Sequence, residues 1–347
     1  MASVFVNFPP SSSPELDAIF ASARSAVFFP SHLRIADRRL IYRESQHHLL
    51  TGEEPVFVSL STVDALYPSN VMTEKFKLEP KVYFDKMSSQ KMLLDVLRLA
   101  ETKEDWMMVA AFLREYKAAK RKLKQSDVSK LIRTAASKGY YGTLVNMFRR
   151  SKELGLYIDS KETAIEVMLL CLRRAYASGW DEQEVSKAWK NADFAILMMT
   201  QPDHAPQGLN SSQANEPEVL GCALALVSAA SAKFHNFQDE DGKVLEYAQR
   251  FLKSWSSKVQ ISLDKSNMHD MNLFLANWSP AWLGVQLAQR IVQDVKVSRE
   301  LGKVYNDVLG PAVGQARKAM QDFSEANGGV RRRGLEMSET LAAVLEK

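Results

Sequence analysis

Cysteine is nearly missing from this chain: Cys171 and Cys222 are the 2 present in 347 residues. Neither belongs to a Cys-x-x-Cys pair. That excludes a disulfide framework or a zinc ribbon, which need more ligands at closer spacing, and predicts buried reduced thiols in a reducing compartment. Histidine is sparse too. His32, His47, His48, His204, His235 and His269 are scattered and suggest no triad, and adjacent His47 and His48 read as surface residues. There is no Gly-rich phosphate loop, no His-Glu-x-x-His helix and no Ser or Cys elbow, the arrangements that phosphate binding, zinc hydrolysis and acyl transfer require. No catalytic residue, metal ligand, cofactor or small-molecule substrate is expected.

Long apolar runs are missing as well. The longest, residues 219–230, is rich in Ala, Gly and Ser and predicts a close-packed internal helix rather than a membrane span. Charge of one sign is scarce: 45 Lys and Arg against 41 Asp and Glu give a net charge of +4 and a pI near 8.8. With so small an excess, the placement of charge must decide the partner.

The chain has the 46% hydrophobic content of a folded protein and exceeds the usual single-core length, so two cores or an elongated array are expected. Residues 1–87 read as an irregular arm. Ser and Pro at 9–14 lead into a short helix over 15–27, a basic stretch follows (Arg24, Arg34, Arg38, Arg39, Arg43), and 55–60 alternates like a strand. Such an arm lies either on a partner or on its own first repeat; both readings stand.

From Ser88 the apolar period becomes helical, and the text repeats every 35 residues. Val96, Leu97, Val109 and Leu113 recur as Leu131, Ile132, Leu144 and Phe148, and Arg98, Arg114 and Lys117 recur as Arg133, Arg149 and Lys152. Gly139 and Gly155 fall where a helix must close, in the positive-φ conformation glycine adopts without steric cost. A fixed period of this length marks stacked helical hairpins, none of which buries its apolar face alone.

Residues 125–159 resemble a pentatricopeptide repeat, on Leu131-Ile132, Gly139, Met147-Phe148 and the closing Gly155-x-x-x-Asp159, with Ile158 where the family has proline. Residues 90–124 are similar in spacing but lack both glycines. The resemblance implies an all-α right-handed superhelix, an α-solenoid of pentatricopeptide- or tetratricopeptide-like hairpins carrying the irregular N-terminal arm. It also implies RNA as partner in mitochondrial gene expression, with Ser129 and Asp159 as the base-reading pair. Leu94 and Lys124 occupy the equivalent positions one repeat earlier; leucine cannot read a base edge, so a code is not expected.

Arg114, Lys117, Arg121 and Lys124 step along what reads as one face of a helix, with Lys120 and Lys122 beside them. Recurrence at Arg149 and Lys152, and of Arg98 at Arg133, predicts a basic ladder suited to phosphates. A solvated helix face is the plain alternative.

Residues 88–200 then read as hairpins, the last turning at Gly179-Trp180-Asp181, and 202–217 as a loop and internal boundary. A further hairpin follows over 219–255, turning at residues 239–242. Ser279-Pro280 is expected to open a long helix carrying Leu283, Leu287, Ile291 and Val295, with Trp278 and Trp282 as core anchors and Gly310-Pro311 as a break or kink. The folded C-terminal block, 217–324, is expected to end near Asn327-Gly328-Gly329. Arg331-Arg332-Arg333 reads as an exposed basic patch, and 325–347 as a linker and short amphipathic tail.

The expected function is a non-catalytic part of a larger complex that binds rRNA or mRNA or ribosomal proteins, as a mitochondrial ribosome component or a ribosome- or mRNA-associated factor. The alternative is a protein scaffold without RNA contact. The family points to the mitochondrial matrix, although the first 23 residues, free of Arg and Lys, do not look like a presequence.

Overall fold

The computed structural model describes residues 4–81, 88–204, 213–258 and 267–345. The chain divides into two units, Met1–Tyr157 and Ile158–Lys347. The expected boundary loop at 202–217 falls partly outside the described residues.

In the first unit the arm is not irregular, and the fold is not all-α. Strands β1 (Phe5–Asn7), β2 (Phe57–Asp64) and β3 (Val71–Lys77) form one sheet, β1 parallel to β2 and β2 antiparallel to β3. Registers run Phe5↔Thr62 and Phe57↔Lys77. The alternation seen at 55–60 lies largely within β2. Strand β1 escaped notice because three residues carry no periodicity, and their pairing spans more than fifty residues of chain.

Between β1 and β2 run α1 (Pro14–Ala23), a π-helical turn (Arg24–Phe28), α2 (Phe29–His32), α3 (Ile35–Tyr42) and a 3-10 turn (Glu44–Leu49). Ser13 caps α1, its hydroxyl accepting from the Leu16 N–H at 3.2 Å, and Pro14 supplies the first-turn φ. Phe8 stacks on Phe20 at 4.6 Å, and Phe28 meets Phe112 edge-on at 5.0 Å. Phe112 belongs to the first hairpin, so the arm packs on its own repeat.

That hairpin is α4 (Ser89–Leu99) and α5 (Lys103–Ala118); the next is α6 (Gln125–Ser137), α7 (Tyr141–Arg149) and α8 (Ser151–Leu154). Val96, Leu97, Val109, Leu113, Leu131, Ile132, Leu144 and Phe148 are buried, as the repeat requires. Gly139 and Gly155 have φ of +81° and +69°.

In the second unit α9 (Lys161–Ala177) and α10 (Glu182–Thr200) turn at Gly179 and Trp180, and α11 (Pro217–Phe234) pairs with α12 (Lys243–Lys258). Residues 239–242 are a turn: the Asp239 carboxylate accepts from the N–H groups of Val244 and Leu245 at 3.0 and 2.8 Å. Helices α13 (Met268–Ile291), α14 (Val295–Lys303), a π-helical turn (Val304–Leu309), α15 (Gly310–Ala326) and α16 (Arg333–Ala342) complete the unit. Helix α11 has the length and apolarity to cross a membrane, but 78% of it is buried in the unit. It lies against α13 almost backbone to backbone. A Cβ on Gly221 would come within 2.4 Å of the Ala281 Cβ, and one on Gly284 within 2.6 Å of the Ala225 nitrogen.

Three expectations here are corrected. Helix α13 starts at Met268 rather than at Ser279, because Asn267 caps it by accepting from the His269 and Asp270 N–H groups. Pro280 sits inside the helix, where packing of Phe274 and Trp278 beside Trp255 keeps the earlier turns helical despite the lost donor. Val295 is 81% exposed and off the apolar face, since Asp294 caps a new helix there. Gly310-Pro311 does not break the chain's helical course: the π-helical turn runs straight into α15.

The C-terminal segment is no tail. Leu335, Met337 and Leu341 of α16 are buried. The arginine run is committed as well. Arg333 grips Glu166 with two 2.8 Å bonds, Arg331 lies 3.1 Å from Glu339, and Arg332 covers the Phe323 ring. An amphipathic stretch at a chain end reads the same whether it covers a partner or its own core.

Candidate RNA-contacting surface

The predicted ladder of nine cations lies in the first unit, and the structure breaks it into two sets. Helix α5 stops at Ala118. The Lys120 N–H donates to the Lys117 carbonyl at 2.8 Å and the Arg121 N–H to the Tyr116 carbonyl at 3.0 Å, a double closure that turns the chain out of the helix. Lys120, Arg121, Lys122 and Lys124 are therefore on a loop, not on the helix face expected for them. Lys120 holds φ at +55° to make that turn.

The inward set is Arg114 and Lys117. Arg114 is half-buried with its Nη1 3.6 Å from Glu153, and its Nε and Nη2 are buried without a partner. The Lys117 Nζ donates to the Lys152 carbonyl and reaches the Tyr157 hydroxyl at 3.5 Å. Its stem lies over Gly155, where a Cβ would come within 3.2 Å of it. Glu153 also accepts from Arg150 at 2.6 Å. Those Arg150 bonds, with Arg114 nearby and against some burial, hold the Glu153 carboxyl below its ordinary value. These cations join α5 to α8 and are not a face offered to solvent.

The outward set is the loop together with exposed cations on α4, α6, α7 and α8. Lys120, Arg121 and Lys122 are exposed, and their side chains make no hydrogen bond or ion pair among the described residues. Lys124 is exposed at the start of α6, its Nζ 3.1 Å from the Gln90 amide oxygen. Arg98, paired with Asp95 at 3.4 Å, keeps its side chain 70% exposed. Arg133, Arg149 and Lys152 are exposed on α6, α7 and α8. Sequence periodicity found these residues but not the end of α5, because lysine in place of glycine gives no stop signal.

Ser129 is half-buried in the first unit, and Asp159 is exposed in the second. Near Asp159, buried His204 accepts at Nδ1 from the Ile158 N–H at 3.0 Å; burial lowers the His204 pKa, which suits a neutral ring in that role. Cys171 and Cys222 are free and fully buried. Burial pushes the Cys171 thiol up to about 12 and Cys222 up as well, so neither forms a nucleophilic thiolate near neutrality.

Two features were illegible in the sequence. One is a cleft of about 720 Å³ in the first unit, beside Phe5, Phe20 and Phe76. There Arg24 projects from the π-helical turn over the rings of Phe5 and Phe76 at 4.7 and 5.5 Å. The other is a smaller concavity in the second unit, where Arg317 covers Trp282. Both gather residues from elements far apart in the chain.

A protein-family model described as mitochondrial ribosomal protein mS27 matches residues 2–340. The small ribosomal subunit protein mS27 of Neurospora crassa is 22% identical over 270 residues, which cover 72% of this chain and 65% of that protein. The chain thus spans about 65% of that relative's length.

Proposed function

The chain belongs to the mitochondrial ribosomal protein mS27 family, and we propose that it is a non-catalytic component of the small subunit of the mitochondrial ribosome, docked on rRNA through its first unit. Its working place is then the mitochondrion, and its partners are rRNA and neighbouring ribosomal proteins. In this reading residues 88–159 are two pentatricopeptide-like hairpins, part of a right-handed superhelix, used for docking rather than for base reading.

The observation that carries the RNA contact is Lys120. It accepts a left-handed backbone that costs an ordinary residue about 1–2 kcal/mol, at the position where the next hairpin has Gly155. Retaining a lysine there makes sense if its charge is used. Arg121 and Lys122 extend the same exposed run, and Lys124, Arg98, Arg133, Arg149 and Lys152 add further exposed cations in the first unit for phosphate oxygens. Arg114 and Lys117 drop out of the contact set, because they bind the protein itself.

The test is charge reversal of Lys120, Arg121 and Lys122 to Glu. Co-sedimentation with small-subunit particles is expected to weaken, and the salt dependence of RNA binding to flatten by about one unit of log-log slope per lost phosphate contact. Unchanged sedimentation and slope would remove the phosphate reading.

A scaffold role is the second reading, favoured by the aromatic cleft of the first unit. Its rim mixes Asp17, Glu74 and Glu79 with Arg24, Lys77 and Lys81, a balance that suits a protein segment better than a polyanion.

A further inference from the structure

In the second unit the middle of α13, the π-helical turn and the start of α15 line an open concavity of about 340 Å³, near the lower end of the roughly 300–1,000 Å³ usual for ligand sites. We propose that it holds one unstacked nucleobase of a single-stranded RNA segment. The inference rests on the RNA reading above but uses different residues in the other unit.

Four observations carry it. The walls are aromatic and cationic: the Arg317 guanidinium lies 5.0 Å over the Trp282 indole, and the Tyr305 ring lies 6.5 Å from Trp282 and is tilted 26° from it. Stacking on aromatic rings and on arginine planes is how proteins hold splayed bases. The guanidinium is also held in place, since Nε donates to the Ser338 hydroxyl at 2.9 Å and Nη2 to the Ser338 carbonyl at 3.1 Å. Helix α16, which in the sequence reads as a short amphipathic tail, supplies that anchor.

Next, the lining contains Asn306 and, among the described residues, no carboxylate. An amide offers both a donor and an acceptor to a base edge. The cleft of the first unit differs in having three acids at its rim.

Third, the floor is made of small residues. Gly310 and Gly314 stand one helical turn apart, and a Cβ on Gly314 would meet nothing within 4 Å, so the space above it is open. Last, the wall that carries Tyr305 and Asn306 is π-helical. Such segments interrupt regular helices frequently at functional sites. Trp282 itself is 8% exposed and serves as the core anchor expected of it. The surface offered to a base belongs to Tyr305, Arg317 and Asn306.

The decisive variant is Gly314→Leu. It adds bulk to the lining from a position where the new Cβ strikes nothing, and leucine favours the helix over glycine; circular dichroism is expected to show an intact fold. The full chain is titrated with fluorescent oligouridylate, whose bases stack little on each other, and with an abasic ribose-phosphate oligomer of the same length, across a salt series. Gly314→Leu, and separately Tyr305→Ala, are expected to weaken oligouridylate binding about tenfold. That loss should persist at high salt, with binding of the abasic oligomer unchanged. The Lys120, Arg121 and Lys122 reversal should instead weaken both ligands, mostly at low salt.

Full-strength oligouridylate binding by Gly314→Leu, or equal losses for both oligomers, would overturn the base pocket while leaving the loop contact standing. Normal RNA binding with lost incorporation into the small subunit would assign the concavity to a protein side chain, which also overturns it. If the loop variant too leaves every titration unchanged, the RNA reading falls with the pocket.

Discussion

Lys120 and Gly155 lie 35 residues apart at the same place in successive hairpins, and both hold positive φ, +55° and +69°. Lysine is doing a glycine's job. Replacing it with glycine removes the Cβ clash of the left-handed backbone, so Lys120→Gly is expected to stabilise the first unit by about 1 kcal/mol. That corresponds to roughly 2–4 °C in melting temperature for a unit of this size. Lys120→Ala keeps the clash and is expected to gain nothing. Thermal melts of the two variants check this, and a glycine variant less stable than the alanine one would refute it.

Asp105 ties the N-terminal arm to the first hairpin. Its carboxylate accepts from the Ser12 hydroxyl at 2.6 Å and from the N–H groups of Ser12, Glu101 and Thr102 at 3.1, 2.9 and 2.8 Å. Burial opposes ionisation, but these bonds outweigh it and leave the carboxyl below its ordinary 3.8. A carboxyl depressed by folding contributes stability that is present above about pH 4 and is lost as pH falls through the folded value. In the second unit Glu184, lowered from 4.5 to about 2 by its bonds from Arg174 and Lys187, loses its contribution between those values. Acid titration followed by hydrogen exchange should free the arm in this range. Asp105→Asn should cost about 1–3 kcal/mol and flatten the arm's response to acid; an unaltered response would exclude Asp105 as its source.

The close approach of α11 and α13 leaves no room at two glycines. Gly221→Val and Gly284→Val are each expected to cost about 3 kcal/mol, because the atoms met are mainly backbone or a short methyl that cannot move aside. Gly314→Ala, which meets nothing, is the control and should be neutral or stabilising. Urea midpoints separate the three, and equal midpoints would mean that the helices can shift apart.

Arg333 holds α16 through Glu166, whose side chain is only 8% exposed while that of Arg333 is 37% exposed. Breaking a fully buried pair costs about 3–5 kcal/mol. With the arginine partly solvated, Arg333→Ala is expected to cost about 2 kcal/mol and to speed amide exchange along α16. Replacing Glu166 with Leu in the same chain should recover part of the loss, because the buried carboxylate that lost its arginine is then gone. Protection of α16 unchanged in Arg333→Ala would show that its apolar contacts suffice alone.

The sequence by itself determined the helical hairpins and their buried faces. Val96, Leu131 and Phe148 recur at a local period, and a local period is what helices obey. It also marked Gly139 and Gly155 as helix ends and located the cations around residue 120. Tertiary structure alone decided which cations are available. Arg114 and Lys117 read like Lys120 and Arg121 along the chain, yet the first two turn into the seam with α8, and the last two leave the helix. It likewise decided that β1 pairs with β2 across half a hundred residues, that the final helix covers its own core, and that Trp282, Tyr305 and Arg317 meet around one opening. Periodicity reports which side of an element is apolar. What covers that side, and which charges the covering consumes, depends on residues brought together from distant parts of the chain.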